Sequence, residues 1–142
     1  MSVRVELTDS LPWVNANRVQ LQQVLLNLTA NAIESMATTD EARALGVTSE
    51  IHASGGVMVS VKDTGTGVAP DDVDRIFTPL FTTKGHGMGM GLSISRSIIE
   101  AHDGRLWSAP NAPRGSVFHF VLPADTAMAA GRQAARHAGA GR

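Results

Sequence analysis

Four glycines stand at every second position of one segment, and this spacing constrains the fold more than any other sequence feature. Residues 84–93 read Lys-Gly-His-Gly-Met-Gly-Met-Gly-Leu-Ser. Glycine at this density favours neither strand nor helix, so the segment predicts a loop rich in accessible N–H groups. A helical pattern begins at Gly91, and a helix N-terminus attracts phosphate. The spacing matches neither a P-loop nor a Rossmann motif. We expect a phosphate-binding loop with Lys84 as a mobile cation; a flexible linker is the alternative.

A second glycine loop follows a predicted strand. Residues 63–68 read Asp-Thr-Gly-Thr-Gly-Val, with Gly65 and Gly67 two positions apart. The glycines let the backbone turn sharply and leave room for a flat ligand. Asp63 at the strand end can accept a hydrogen bond from an exocyclic amine such as adenine N6. The alternative is an ordinary tight turn with a capping aspartate.

Two asparagines lie in register on a leucine-rich helical segment. Asn27 and Asn31 are four residues apart, so they share one face of the helix about one turn from each other. Asparagine is a poor helix former, which suggests that these two have a use. A neutral amide oxygen can ligate Mg²⁺ beside phosphates, because Mg²⁺ takes one or two protein oxygens plus phosphate and water. A solvated helix face is the alternative interpretation.

The composition limits the class of protein. The chain has 142 residues, 43% of them apolar, enough for one domain with a single core. It has no cysteine, which excludes disulfides and thiolate chemistry. A formal net charge of −1 argues against a broad nucleic-acid surface. No apolar run approaches the roughly 20 residues that span a bilayer, and the N-terminus lacks a signal-peptide core. We therefore expect a soluble, cytoplasmic domain without membrane contact.

Hydrophobic periodicity predicts one α/β domain over residues 1–123. Strands are predicted at 3–7, 44–53, 56–62, 105–109 and 116–122, and helices at 18–36, from 70 to 76 and at 91–102. Asn17 is the predicted N-cap of the long helix, and Gly104 the C-cap residue of the last. The spacing places these helix residues inward: Leu21, Leu25, Leu28, Ala32, Met36, Leu92, Ile94, Ile98, Ile99 and Ala101. Residues 124–142, rich in Ala, Gly and Arg, predict a disordered tail or a helix that needs a partner.

These segments, in this order, resemble the ATP-binding catalytic domain of sensor histidine kinases, part of the GHKL superfamily of ATPases. The matching motifs are Asn27-Leu-Thr-Ala-Asn31-Ala (N box), Asp63-Thr-Gly-Thr-Gly67 (G1), Phe77-Thr-Pro-Leu-Phe81-Thr-Thr-Lys84 (F box and start of the lid), Gly87-Met-Gly-Met-Gly91-Leu (G2) and the closing strand up to Pro123. The resemblance covers about residues 3–123 and implies the Bergerat fold. That fold is a two-layer α/β sandwich, here a mixed five-stranded sheet packed against about three helices, with a mobile ATP lid.

The resemblance also implies a binding site for Mg²⁺ and ATP. Asn31 would be the Mg²⁺ ligand with Asn27 assisting, Asp63 would bind adenine N6, and Lys84 with the glycine-loop amides would hold the phosphates. Ser116 would share a water with Asp63. The implied catalytic residues are Asn27, Asn31 and Lys84. The implied ATP contacts are Asn27, Asn31, Asp63, Gly65, Gly67, Val68, Ile76, Phe81, Thr82, Thr83, Lys84, Gly87, Met88, Gly89, Met90, Gly91, Leu92 and Ser116.

The sequence departs from the family pattern at two places. Many members carry Lys or Arg shortly after the N-box asparagine, where this chain has Glu34, Ser35 and Met36. More of the phosphate contact is therefore expected from Lys84. Leu80 stands where the F box often has Phe.

The activity implied by the resemblance is transfer of the γ-phosphoryl group of ATP to a histidine. GHKL ATPases generally place a Glu where this chain has Asn27, and an amide is no useful general base at neutral pH. None of the five histidines, at positions 52, 86, 102, 119 and 137, lies in the family's phosphoacceptor pattern. The expected partners are the dimerisation and phosphoacceptor domain of the same kinase and a response regulator, with the isolated chain a monomer. A regulatory module that binds nucleotide without phosphotransfer, and a GHKL ATPase, are the alternatives.

Overall fold

The computed structural model describes residues 1–78 and 91–125. Within these ranges the chain forms one sheet of five strands, two α-helices and two 3₁₀ turns. The strands are β1 (Ser2–Leu7), β2 (Ala44–Ile51), β3 (Val57–Lys62), β4 (Arg105–Pro110) and β5 (Ser116–Leu122), and the helices are α1 (Arg18–Ala37) and α2 (Gly91–Ala101).

The sheet has the strand order β1-β2-β3-β5-β4. β1 runs parallel to β2, whereas the β2–β3, β3–β5 and β4–β5 pairs are antiparallel. Val61 lies opposite both Val47 and Phe118, so inward residues form a continuous apolar row across the centre of the sheet. Both helices contribute to the core on this face. The expected two-layer fold with a mixed five-stranded sheet is confirmed.

The core lies between the helices and the sheet. Its buried members are Val24, Leu28, Ala32, Met36, Leu45, Val61, Ile76, Phe77, Ile99, Leu106, Phe118, Phe120 and Leu122. On α1 the buried face is rotated from the predicted one, since Val24 is fully buried while Leu21 and Leu25 are only half-buried. The rotation follows from α1 packing on both the sheet and α2, which covers two adjoining sides of the helix.

Asn17 caps α1, as predicted, and also ties the two helices together. Its side-chain oxygen accepts the backbone N–H of Gln20 at 3.0 Å. Its own N–H donates to Nε2 of His102 at 3.0 Å, while Nδ1 of His102 lies 2.7 Å from the carbonyl of Ile98. The start of α1 and the end of α2 are therefore held together by one imidazole.

The end of α2 corrects the predicted role of Gly104. The left-handed residue is Asp103, at φ 61°, and not the glycine. The N–H groups of Asp103 and Gly104 donate to the carbonyls of Glu100 and Ile99, which is the Schellman arrangement. Gly104 is needed for a different reason, because a Cβ there would overlap the carbonyl of Val121.

Two further predictions for helices differ from the structure. The segment after Pro70 forms two short 3₁₀ turns, Pro70–Asp72 and Arg75–Phe77, because the intervening acidic and β-branched residues are weak helix formers. The described residues thus hold two α-helices where about three were expected. In α2, Ile94 and Ala101 are exposed, and Ser95 is fully buried beside Ile99. No helix in the described ranges is both long and apolar enough to cross a membrane.

Candidate functional site

The candidate site centres on Asp63, the first residue after β3. Its side chain is 1% exposed, and Oδ1 accepts the N–H groups of Gly65 at 2.9 Å and Ser116 at 3.2 Å. Its backbone N–H donates to the carbonyl of Ser116 at 2.9 Å. The carboxylate is therefore held in place by the loop that follows it and by the start of β5. Ser116, predicted to act with Asp63, lies beside it.

The loop after Asp63 is pressed against α1. A Cβ on Gly65 would overlap Oγ of Ser35 and lie 2.5 Å from its carbonyl oxygen. The N–H of Thr66 donates to the same carbonyl at 3.3 Å. Ser35 is buried, and its contact with this loop was not predicted from the sequence. The sequence feature that could have indicated this contact is the small size of Ser35, next to the inward-facing Met36 of the helix.

Two glycines give this region its close contacts. Gly67 has φ +75° and Gly115 has φ +96°, a left-handed conformation that glycine adopts without strain. A Cβ on Gly115 would overlap the carbonyl of Asp63, so the loop before β5 approaches the candidate site as closely as backbone allows. Val68, an expected ligand contact, is half-buried against the core.

Asn111 and Arg114, in the loop between β4 and β5, hydrogen-bond to the backbone of the Asp63 loop. The Asn111 amide donates to the carbonyl of Asp63 at 2.8 Å. The Arg114 guanidinium donates through Nε to the carbonyl of Thr64 at 2.9 Å and through Nη2 to that of Ala42 at 2.7 Å. The sequence predicts only a turn rich in Pro, Asn and Gly for this segment. An arginine between Pro and Gly gives no sequence signal of its partners, which lie 50 and 72 positions away.

Asn27 joins the middle of α1 to the first turn of α2. Its Nδ2 donates to the carbonyl of Gly91 at 3.3 Å and to Oγ of Ser95 at 3.2 Å. Both bonds use the amide nitrogen, which leaves the amide oxygen outside this contact. Asn31 is half-buried one turn further along the same helical face. The two predicted amides therefore lie on the side of α1 that faces the N-terminal turn of α2.

Phe77 and Ile76 belong to the core below the candidate site. The Phe77 ring meets Phe118 edge-on at 6.2 Å between centroids, and the Arg96 guanidinium lies 5.0 Å from its centre. Ile76, predicted to touch the nucleotide, is buried in the same apolar cluster. Leu92 is half-buried against that cluster as well. The structure thus brings together the end of β3, the middle of α1 and the start of α2.

Other predicted site residues lie outside the described residues. They are Phe81, Thr82, Thr83, Lys84, Gly87, Met88, Gly89 and Met90. Across 1–78 and 91–125, no group of three or more His, Asp or Glu side chains could hold a metal ion.

The histidines of the described residues lie in other surroundings. His52 contacts Ser54 in the loop between β2 and β3, and His102 links the helix ends. His119 lies on the sheet face away from the helices, where Nδ1 is 2.6 Å from Oγ of Ser60. Burial, and then the nearby Lys62, lower its pKa from 6.5, while Glu50 acts in the opposite direction. Each of these imidazoles already has a structural contact.

Comparison with known proteins agrees with this architecture. Residues 16–126 match the family described as histidine kinase-, DNA gyrase B- and HSP90-like ATPase. Sensor protein FixL of Bradyrhizobium diazoefficiens is 49% identical over 124 residues, which are 87% of this chain and 24% of the relative. Sensor protein TdiS of Thauera aromatica is 43% identical over 125 residues, 87% of this chain and 23% of that protein.

Solved structures show the same fold. The catalytic domain of histidine kinase ThkA, in a nucleotide-free form, superposes with a TM-score of 0.74 at 40% identity, covering 87% of this chain and 78% of that one. Full-length ShkA in complex with AMPPNP gives a TM-score of 0.74 at 32% identity, covering 87% of this chain and 25% of the other. The chain spans about a quarter of the length of the curated relatives that it matches. It belongs to the histidine kinase-, DNA gyrase B- and HSP90-like ATPase family and has the fold of sensor histidine kinase catalytic domains.

Proposed function

We propose that the residues of α1, the Asp63 loop and the start of α2 together bind ATP with Mg²⁺. The domain would then transfer the γ-phosphoryl group to a histidine on a dimerisation domain of the same kinase. A response regulator would receive the phosphoryl group next, in the cytoplasm. Membership of the family supports nucleotide binding, and the rest of the proposal is built on the site residues.

The observation that carries the proposal is the fixed, buried carboxylate of Asp63. An aspartate is rarely buried in a core unless it has a purpose, because desolvation of a charge is costly. A carboxylate has about four acceptor positions, so it can accept the adenine amine in addition to the N–H groups of Gly65 and Ser116. The neighbouring glycines, Gly65 and Gly67, bring no side chain that would obstruct a flat base.

The donor set on α1 fits a magnesium ion that is shared with phosphates. Asn31 would supply an amide oxygen, and Asn27 can assist through the oxygen that its contacts with α2 do not use. Mg²⁺ is commonly held by one or two protein oxygens together with substrate phosphates and water. Held by these amide oxygens, Mg²⁺ would supply positive charge to offset the negative charge that develops on the transferred phosphoryl group.

Phosphoryl transfer requires positioning more than proton chemistry. The histidine nitrogen would attack the γ-phosphorus as the bond to the ADP oxygen breaks, so that ADP leaves. Asn27 is an amide and offers no general base for activating water. This residue therefore favours transfer to an outside imidazole over hydrolysis. The amides at the start of α2 and Lys84 are proposed to hold the phosphates.

Calorimetry with Mg·ATP and Mg·GTP tests nucleotide binding directly. We expect ATP to bind and GTP to bind at least roughly 100-fold more weakly, because guanine presents a carbonyl where adenine presents an amine to Asp63. Equal affinity for both nucleotides would contradict the adenine assignment. Labelled ATP with a matched phosphoacceptor fragment should then give an acid-labile phosphoprotein.

Replacement of Asn31 tests the magnesium assignment. We expect Asn31→Ala to lower the affinity for Mg·ATP roughly tenfold, the cost of one lost ligand interaction, with metal-free ATP bound as before. The matched control is Gln22→Ala, an exposed position on another side of α1. An equal loss of affinity with and without Mg²⁺ would show that Asn31 acts on the nucleotide and not on the ion.

The same assays distinguish the alternative functions. Nucleotide binding without transfer to any cognate fragment would favour a regulatory module. Steady hydrolysis by the chain alone, abolished in Asn27→Ala, would favour a GHKL ATPase. Binding followed by transfer supports the proposed kinase.

A further inference from the structure

β1 is an edge strand of the sheet, and its apolar side chains are exposed to solvent. Val3, Val5 and Leu7 are 58%, 58% and 63% exposed. Their register opposite Leu45, Val47 and Ser49 puts them on the face of the sheet that carries the helices. Among residues 1–78 and 91–125, the helices pack mainly over β3, β4 and β5, so neither helix covers the apolar side of β1 beside the core.

The backbone of the same three residues points away from the sheet. The N–H of Ser2 donates to the carbonyl of Arg43 at 2.9 Å, and that of Thr8 to Oγ of Ser49 at 3.2 Å. Peptide groups alternate in direction along a strand, so the even positions bond towards β2 and the odd positions face outward. Val3, Val5 and Leu7 thus present their N–H and C=O groups at the open edge, ready to pair with another strand.

We propose that two copies of this chain pair through β1, antiparallel and centred on Val5. In this register Val5 lies opposite Val5 of the second copy, and Val3 lies opposite Leu7. The backbone N–H and C=O groups of all these residues point away from β2, so each pair can exchange both of its N–H···O=C bonds. The apolar side chains then cover one another on the helical face of a continuous sheet.

Charge complementarity selects the second copy as the occupant and fixes the register. Between the hydrogen-bonded pairs, Arg4 comes opposite Glu6 of the second copy, where antiparallel side chains approach most closely. Hydrogen-bonded pairing through the odd positions also allows a register shifted by two residues in either direction. Those registers put Arg4 opposite Arg4 or Glu6 opposite Glu6, which is unfavourable. In one copy the Arg4 and Glu6 side chains are 81% and 65% exposed and 3.7 Å apart, so both can reach across.

Single cysteines test the register, because the chain has no cysteine of its own. Two Val5→Cys copies would lie opposite each other and should form disulfide dimers on oxidation. Two Val3→Cys copies would be roughly 13 Å apart, from the rise of the strand, and should give at least about tenfold less. Mixing Val3→Cys with Leu7→Cys should restore cross-linking. Equal yields from Val3→Cys and Val5→Cys alone would overturn the proposed pairing.

Charge exchange tests the same dimer without a covalent bond. Sedimentation should show Arg4→Glu weakening dimerisation roughly tenfold, since the like-charge contact occurs twice by symmetry. The double variant Arg4→Glu with Glu6→Arg should recover wild-type association. Leu26→Ala, on an exposed apolar site of α1, should leave it unchanged. A monomeric wild-type chain at millimolar concentration, or a dimer lost in Leu26→Ala and kept in Arg4→Glu, would overturn the proposal. The outcome does not depend on nucleotide binding.

Discussion

Asp63 combines a structural and a proposed binding role in one side chain. Asparagine at this position can keep its oxygen toward the N–H groups of Gly65 and Ser116, so the loop should stay in place. Its amide nitrogen would then stand where the carboxylate accepts the adenine amine, which sets two donors against each other. We expect Asp63→Asn to weaken ATP binding by roughly 10- to 100-fold, the cost of one mismatched buried hydrogen bond. Calorimetry measures the affinity.

The fold of this variant is checked by thermal unfolding. The midpoint should stay close to that of the wild type, because both backbone hydrogen bonds have an acceptor left. Asp74→Asn, an exposed residue between the 3₁₀ turns, is the matched control and should bind ATP normally. Unchanged affinity in Asp63→Asn would remove the adenine contact from the proposal.

Gly65 sets the distance between the Asp63 loop and α1. Alanine there would overlap Oγ and approach the carbonyl of Ser35, both on a helix that cannot easily move. We expect Gly65→Ala to lower the free energy of unfolding by about 2 kcal/mol, as overpacked sites do, and to weaken ATP binding as well. Urea unfolding measures the first effect. Gly46→Ala on β2 is the control, since its Cβ would meet only Cβ of Lys62 at 3.8 Å, and its effect should stay within about 0.5 kcal/mol.

Arg114 connects three chain segments through one planar group. Nε and Nη2 donate to the carbonyls of Thr64 and Ala42, and Nη1 lies 3.6 Å from a carboxylate oxygen of Glu41. Lysine keeps the charge but cannot reach both carbonyls with a rigid fork. We expect Arg114→Lys to cost about 1–2 kcal/mol of stability. The exposed Arg18→Lys is the control; a similar loss there would indicate a general effect of lysine.

The sequence predicted the elements of the site better than the contacts between them. β5 follows from its run of β-branched and aromatic residues and the start of α1 from the Asn17 cap, which are local signals. The support of the Asp63 loop by Asn111 and Arg114 depends on partners 48 and 50 positions away, and no local pattern encodes such contacts. Gly104 shows the same limit. Glycine is required there because a Cβ would overlap the carbonyl of Val121 on β5, and not because of the φ angle of Gly104 itself.

The whole molecule also has a face that takes no part in the proposed site. On the side of the sheet away from the helices, Trp107 lies against His119 with 5.2 Å between ring centres, and the Arg105 guanidinium lies 4.2 Å from the Trp107 ring. His119 is also 2.6 Å from Oγ of Ser60. These side-chain contacts connect β3, β5 and β4 on this face of the sheet. A charge on the imidazole would be partly desolvated and would meet the positive group of Lys62, with Glu50 as the counteracting acid.

The stability of the whole fold should therefore depend on the protonation of His119. Its pKa in the folded chain lies below 6.5, so on acidification the unfolded chain takes up the proton first. Stability from the neutral imidazole is complete above pH 6.5 and is lost as the pH falls below that value. We expect the free energy of unfolding to depend less on pH between pH 7 and 5 in His119→Asn, whose amide can still bond to Ser60. Urea unfolding monitored by tryptophan fluorescence measures it. His52→Asn, in the loop between β2 and β3, should keep the wild-type slope. If His119→Asn kept that slope as well, the lowered pKa of His119 would not be its source.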